Sequence, residues 1–223
     1  MKGELRAGLI VVSLERGRNV KRASALTLVT GLTLARVPLV LIFLVLALVN
    51  DHSPSPGLSW AALASLVAAS LTDLFDGHLA RKWQVVSRFG AMADPLMDKV
   101  FYLVVFPTLL FLLGRRGEAE GAHTVVMLIF TILYLLRDQW VTFLRSIASA
   151  YQADVSANWM GKLRTALSFP IGCLIYFYLA MHPVWLQRTV VYGFEGLGIL
   201  ISLASIAVYT REYLPYLRRA MDP

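Results

Sequence analysis

Four aspartates, Asp73, Asp76, Asp94 and Asp98, stand in or beside long apolar runs, where an ionised side chain costs a few kcal/mol on insertion scales. Asp73 and Asp76 are three residues apart and Asp94 and Asp98 four apart, so on helices each pair shares one face. The connection between the two runs, 81–89, is short; the helices are therefore antiparallel neighbours and the two acidic faces can converge. Four ionised carboxylates in one partly dry site repel, so either protons or a cation must neutralise them. Oxygen donors at this density suit hard divalent ions such as Mg²⁺, Mn²⁺ or Ca²⁺ rather than Zn²⁺. A plainer reading pairs the acids with Arg81, Lys82, Arg88 and Lys99 as boundary salt bridges, but paired acids on both helices exceed what a boundary needs. His78 lies two residues beyond Asp76, about 200° around a helix, and is expected to point away from the site.

The elements that must hold this cluster follow from composition. The chain has 223 residues, of which 57% are hydrophobic and 16% charged, against roughly 45–50% and roughly 25% in soluble domains. Its mean hydropathy is +0.64. One cysteine, Cys173, provides neither an internal disulfide nor a cysteine-zinc scaffold. The net charge of +7 suits either nucleic acid or anionic lipid; the apolar runs decide for the membrane, and no nucleic-acid partner is expected. Six runs reach the ~20 residues a spanning helix needs, at 26–49, 58–80, 91–113, 122–148, 161–182 and 190–214. Strand-type alternation is absent, and helices satisfy the backbone in lipid. The expectation is an all-α integral membrane protein with six transmembrane helices.

With six spans the N-terminus, 81–89, 149–160 and the C-terminus share one side. That side and the spans feeding it hold 18 of the 21 Lys and Arg, which puts both termini in the cytoplasm. Within 4–16, Leu5, Leu9 and Val12 recur at helical spacing beside Glu4, Arg6, Glu15 and Arg16. Residues 1–25 are therefore read as an interfacial amphipathic helix, against a basic tail as the alternative. Residues 26–214 form the membrane domain and 215–223 a cytoplasmic tail.

The acidic segment reads Asp73-x-x-Asp76-Gly77-x-x-Ala80-Arg81, eight residues, then Gly90-x-x-x-Asp94-x-x-x-Asp98. It resembles the signature of the CDP-alcohol phosphotransferase family, with every fixed position filled. The resemblance implies transfer of a phosphatidyl group from CDP-diacylglycerol to an alcohol with release of CMP, two Mg²⁺ or Mn²⁺ ions on the four aspartates, and a homodimer in the cytoplasmic membrane. Asp98 would also be the general base. Gly77 and Gly90 would let the nucleotide approach the backbone, Arg81 would pair with a phosphate, and Ser87 and Thr30 would contact the nucleotide.

Arg137-Asp138-Gln139-Trp140-Val141-Thr142-Phe143-Leu144-Arg145, then Gly161-Lys162-Leu163-Arg164-Thr165, look like the branch that uses sn-glycerol 3-phosphate. Leu32-Thr33-Leu34-Ala35-Arg36 with Pro38 also resembles that branch's first span. An anionic acceptor suits Arg137, Arg145, Lys162 and Arg164, and Asp138 could pair with a basic residue or an acceptor hydroxyl. The same cations also satisfy a positive-inside bias. Inositol phosphate or serine is the alternative acceptor. A cation or proton transporter is a remote alternative, since the acids lie at one edge and no repeat is visible; an inactive metal-binding scaffold is another.

Overall fold

The structure, a computed structural model, describes the backbone of residues 2–83, 88–153, 155, 159–183 and 185–221. Side chains are described for the same residues except 2–23, 74, 81, 88–95, 98, 119 and 162. The described residues form six long helices: α1 (Lys2–His52), α2 (Pro56–Trp83), α3 (Arg88–Gly114), α4 (Gly121–Ala150), α5 (Trp159–Met181) and α6 (Arg188–Met221). Among them only a 3₁₀ turn, Gly117–Glu120, adds further regular structure.

Each expected span falls inside one of these helices except at one end, where 161–182 reaches His182, just past the last residue of α5. Five stretches are long and apolar enough to cross a bilayer: Ser24–His52, Pro56–Ala80, Gly121–Ala150, Trp159–Met181 and Arg188–Met221. The described apolar part of α3, Lys99–Gly114, is shorter, but α3 as a whole has 27 residues, about 40 Å at the α-helical rise. Large apolar side chains remain exposed along the helices, among them Leu41, Ile42 and Val45 of α1 and Leu128, Ile129 and Ile132 of α4. Exposed apolar surface on this scale belongs in lipid. The chain is a multi-pass membrane protein.

Two helices run further than hydropathy suggested. Residues 2–23 are helical and continue into α1 without a break, and α6 passes Pro215 to reach Met221. Backbone hydrogen bonding is indifferent to the change from apolar to basic side chains, so a helix need not stop where its apolar stretch does.

The chain divides into two units. The first comprises Met1–Phe43 and Ala64–Phe101, the second Leu44–Leu63 and Tyr102–Pro223. In the first, Thr33, Arg36, Val40 and Phe43 of α1 are buried, as are Leu66, Ala69 and Asp76 of α2. Buried positions three and four apart mark one inward face per helix.

In the second unit α4 packs along α6, and α5 packs against α6. Helices in lipid gain little from apolar burial alone, so close packing and hydrogen bonds hold them. Gly198 of α6 shows the close approach: a Cβ there would stand 2.5 Å from Phe130 Cε2. Phe106, Phe130 and Tyr134 form an edge-packed group, with the Phe106 centroid 4.9 Å from that of Phe130 and 4.8 Å from that of Tyr134. Trp140 Nε1 donates to Thr210 Oγ1 at 2.8 Å, and His123 Nε2 lies 2.9 Å from Glu195 Oε1. Such paired positions require α4 and α6 to run in the same direction, as two spans separated by one other must.

Where α1 ends, Asn50 Oδ1 accepts from Ser55 N and Ser59 Oγ and ties the turn to the start of α2. At the end of α5, His182 takes φ 43° and its N–H returns to Tyr178 O, the left-handed cap that stops a helix. Arg116 donates there to Leu179 O at 2.8 Å and to His182 Nε2 at 2.7 Å. Exposed Trp60 and Trp185 flank Phe177 in the same unit, the kind of aromatic group that favours a membrane boundary.

Candidate active site

In the first unit, α1 supplies Thr33 and Arg36 and α2 supplies Asp73 and Asp76, each pair separated by three residues and so on one helix face. Arg36 Nη2 contacts Asp73 Oδ1 at 2.6 Å and Asp76 Oδ2 at 3.2 Å. Thr33 Oγ1 donates to the same Asp76 Oδ2 at 2.9 Å. Arg36 is fully buried and Asp76 nearly so, at 3%, while the Asp73 side chain keeps 22% exposure. A lone arginine at this depth would be costly; two carboxylates make its place tenable, and it in turn draws both acids together on one face. Asp73 and Asp76 are thus brought together, and Asp73 remains within reach of the surroundings.

The other acidic-motif residues have these positions. Gly77, half-buried, follows Asp76 on α2, and Thr30, half-buried, lies three residues before Thr33 on α1. Gly90, Asp94 and Asp98 belong to α3, and Arg81 to α2. The side chains of Asp94, Asp98 and Arg81, the surroundings of Gly90, and Ser87 entirely, lie outside the described residues. Among the described residues no three His, Cys, Asp or Glu side chains gather as a metal set. His78 is exposed.

The second unit holds the basic residues. Arg137 is 5% exposed, and its Nε and Nη2 both donate to Ser205 Oγ, at 2.8 and 2.6 Å. Its guanidinium carbon lies 5.1 Å from the centroid of the Tyr209 ring, and so does that of Arg145. Arg145 also donates from Nη2 to Tyr209 Oη at 3.0 Å. Arg164, likewise 5% exposed, sits 3.6 Å from the Tyr134 centroid and donates to Tyr134 O at 3.0 Å. Asp138 Oδ1 lies 3.6 Å from Arg164 Nη1, so of its two foreseen partners it meets a basic residue. The Lys162 side chain lies outside the described residues.

Two partners of these groups were not anticipated. Arg36 stands in a stretch that carries the family resemblance, yet an arginine fourteen residues from the nearest other charge, Arg22, in an apolar run is itself the signal of a buried counter-ion. Ser202, Ser205, Tyr209 and Tyr213 recur every three or four residues along α6 and are all buried, a polar face in an otherwise apolar helix that marks where α4's arginines dock.

A profile of the CDP-alcohol phosphatidyltransferase family matches residues 26–208. This chain belongs to that family. Among curated proteins it resembles a "Probable phosphatidylglycerophosphate synthase" of Mycobacterium tuberculosis (strain ATCC 25618 / H37Rv), 36% identical over 154 residues that cover 68% of this chain and 66% of that protein. A "CDP-diacylglycerol–glycerol-3-phosphate 3-phosphatidyltransferase" of Cereibacter sphaeroides is 34% identical over 110 residues, 49% of this chain and 46% of that protein. A chloroplastic/mitochondrial protein of that printed activity in Arabidopsis thaliana is 29% identical over 204 residues, 85% of this chain and 64% of that protein. The chain therefore spans about half to two thirds of the length of these relatives. No solved structure matches it.

None of the family-motif residues lines the cavity of about 630 Å³ in the second unit, whose walls include Asn50, Asp51, Ser59, Arg116, Tyr176 and His182. Its polar groups serve one another: Arg115 Nε meets Asp51 Oδ2 at 2.5 Å beside it, and Asn50 and Arg116 make the turn and cap bonds described above.

Proposed function

We propose that this chain transfers a phosphatidyl group from CDP-diacylglycerol to sn-glycerol 3-phosphate, giving phosphatidylglycerophosphate and CMP. The observation that carries the reading is the Asp73–Asp76 pair on one face of α2, balanced by Arg36 and lying inside the stretch matched by the family. The printed activities of the relatives support the acceptor.

Asp73, Asp76, Asp94 and Asp98 are the residues to hold Mg²⁺ or Mn²⁺, as two ions. The donors fit: they are carboxylate oxygens, which hard divalent cations prefer. Asp73 and Asp76 are already drawn together by a positive charge. When bound, the ions neutralise the pyrophosphate and the charge developing on the leaving CMP. Asp98 takes the proton from the primary hydroxyl of the acceptor as that oxygen bonds to the lipid-side phosphorus. The bond from that phosphorus to the CMP oxygen breaks, and CMP leaves with the electron pair. Gly77 and Gly90 admit the nucleotide to the backbone, Arg81 pairs with a phosphate, and Ser87 and Thr30 bond the nucleotide. Arg137, Arg145, Lys162 and Arg164 receive the phosphate of the acceptor. The three arginines among them lie against tyrosine rings, whose faces attract cations.

The basic bias of one side supports a cytoplasmic active site, with both termini cytoplasmic, in a cytoplasmic membrane. A homodimer belongs to the same reading through the family resemblance. The test is CMP release by the purified protein from CDP-diacylglycerol with Mg²⁺ or Mn²⁺, offering glycerol 3-phosphate, inositol 1-phosphate and serine separately. Turnover is expected with glycerol 3-phosphate alone and is lost in Asp98→Asn. Turnover with another acceptor keeps the chemistry and overturns the acceptor; no turnover with any of the three overturns the assignment.

A further inference from the structure

We propose that Tyr209 is a positioning residue for the acceptor's phosphate, holding Arg137 and Arg145 of α4 as a cationic pair; this rests on the acceptor reading of those two arginines given above. The two are eight residues apart, about 12 Å along the helix axis. Both guanidinium carbons nevertheless lie 5.1 Å from the centroid of one ring, so the two charges stand no further apart than twice that distance. Like charges so placed repel, and an aromatic face lessens the penalty because its quadrupole attracts each cation.

The ring is itself held. Tyr209 is fully buried and stacks on Tyr213 at 6.1 Å and 19°. It packs in one group with Val141, Leu144 and Ala148 of α4. On the α5 side, a Cβ at Gly161 would stand 2.8 Å from Tyr209 Oη, so the absence of a side chain at 161 makes room for the phenol. The hydroxyl then fixes Arg145 by accepting from its Nη2 at 3.0 Å, while Ser205, one turn earlier on α6, fixes Arg137 through Nε and Nη2. The ring and the two hydroxyls hold these two arginines in place. Cations ordered in advance are what a pocket for a phosphate monoester requires. Phenylalanine at 209 would keep the face and lose the hydroxyl, and leucine would lose both.

The experiment measures kcat and KM for each substrate in the full-length protein with CDP-diacylglycerol and Mg²⁺, comparing wild type with Tyr209→Phe, Tyr209→Leu and Arg145→Gln. Tyr209→Phe is expected to raise the KM for glycerol 3-phosphate about three- to tenfold, the net worth of one typical intramolecular hydrogen bond. Tyr209→Leu is expected to raise it further. In both, kcat and the KM for CDP-diacylglycerol stay within about twofold of wild type, a split that general loosening of the helices would not produce. Equal effects on both substrates, or a fall in kcat alone, overturn the proposal. Should Tyr209→Leu fail to fold, Tyr209→Phe decides, because it preserves ring volume. Arg145→Gln separates the two levels: an unchanged glycerol 3-phosphate KM overturns the acceptor reading and this proposal with it. A raised KM there, with none in the Tyr209 variants, overturns the positioning role alone.

Discussion

The acidic region around Asp76 and the basic region around Tyr209 both bury charge in apolar helices, but they stabilise it in opposite ways. In the first, Arg36 meets two carboxylates and its charge is cancelled within the protein. In the second, Arg137 and Arg145 rest on a ring and on the hydroxyls of Ser205 and Tyr209, neutral groups that orient a cation. Cancellation by a protein cation is exchangeable for a stronger one: a divalent ion satisfies the same oxygens. Orientation by neutral partners orders a cation in advance of a ligand. On this contrast the proposed function gives cations and the nucleotide to the acidic region and a free anion to the basic one.

The largest expected effect breaks the acidic side. Asp76→Asn should lower CMP release at least about a hundredfold, on the scale of losing a preorganised electrostatic contact in a transition state, with the KM for glycerol 3-phosphate nearly unchanged. Next in size is Arg36→Met, which strands two carboxylates. Breaking a buried pair costs about 3–5 kcal/mol, so the midpoint of thermal unfolding should drop by many degrees. If the acids accept a divalent ion in place of the arginine, adding Mn²⁺ should raise the midpoint of Arg36→Met by more than that of wild type. An equal rise in both would remove the idea of exchange.

On the basic side, Gly161→Ala pushes a methyl group toward Tyr209 Oη. Overpacking of this kind costs about 1–3 kcal/mol, and the acceptor KM should rise while the Mg²⁺ dependence of the rate stays as in wild type. The smallest effect concerns His182, which belongs to neither region. Partial burial, with the Arg116 guanidinium beside it, lowers its pKa below the ordinary 6.5. The folded state therefore prefers neutral imidazole. Its stability contribution is present above about pH 6.5 and is lost as pH falls through the lowered value. Unfolding midpoints of wild type and His182→Gln should converge as pH falls below 6.5, and parallel curves would contradict the shift.

Much of this could be read in the sequence, for physical reasons that differ by residue. Apolar length set the six spans, because a bilayer leaves the backbone little choice. The three-residue spacing of Asp73 and Asp76 sufficed to put them on one face, since it depends only on helical period. The role of Arg36 did not emerge in the same way: its partners lie 37 and 40 residues away, and no local period reports a contact between helices. Tyr209 was hidden for a related reason. A tyrosine in an apolar span reads as packing, and only the arrival of two arginines from another helix gives its ring an electrostatic task. The limits of α1 and α6 were drawn at changes in hydropathy, whereas the helices end where backbone bonding ends.

The most direct test of the account compares glycerol 3-phosphate with glycerol as acceptors for the wild-type protein, reading CMP release at saturating CDP-diacylglycerol and Mg²⁺. The two offer the same primary hydroxyl and differ in the phosphate that the arginines are assigned to bind. Two lost charge-assisted contacts of about 1.5–3 kcal/mol each predict a kcat/KM for glycerol lower by at least about a hundredfold. Equal use of both acceptors, or release of CMP with neither, would contradict the account.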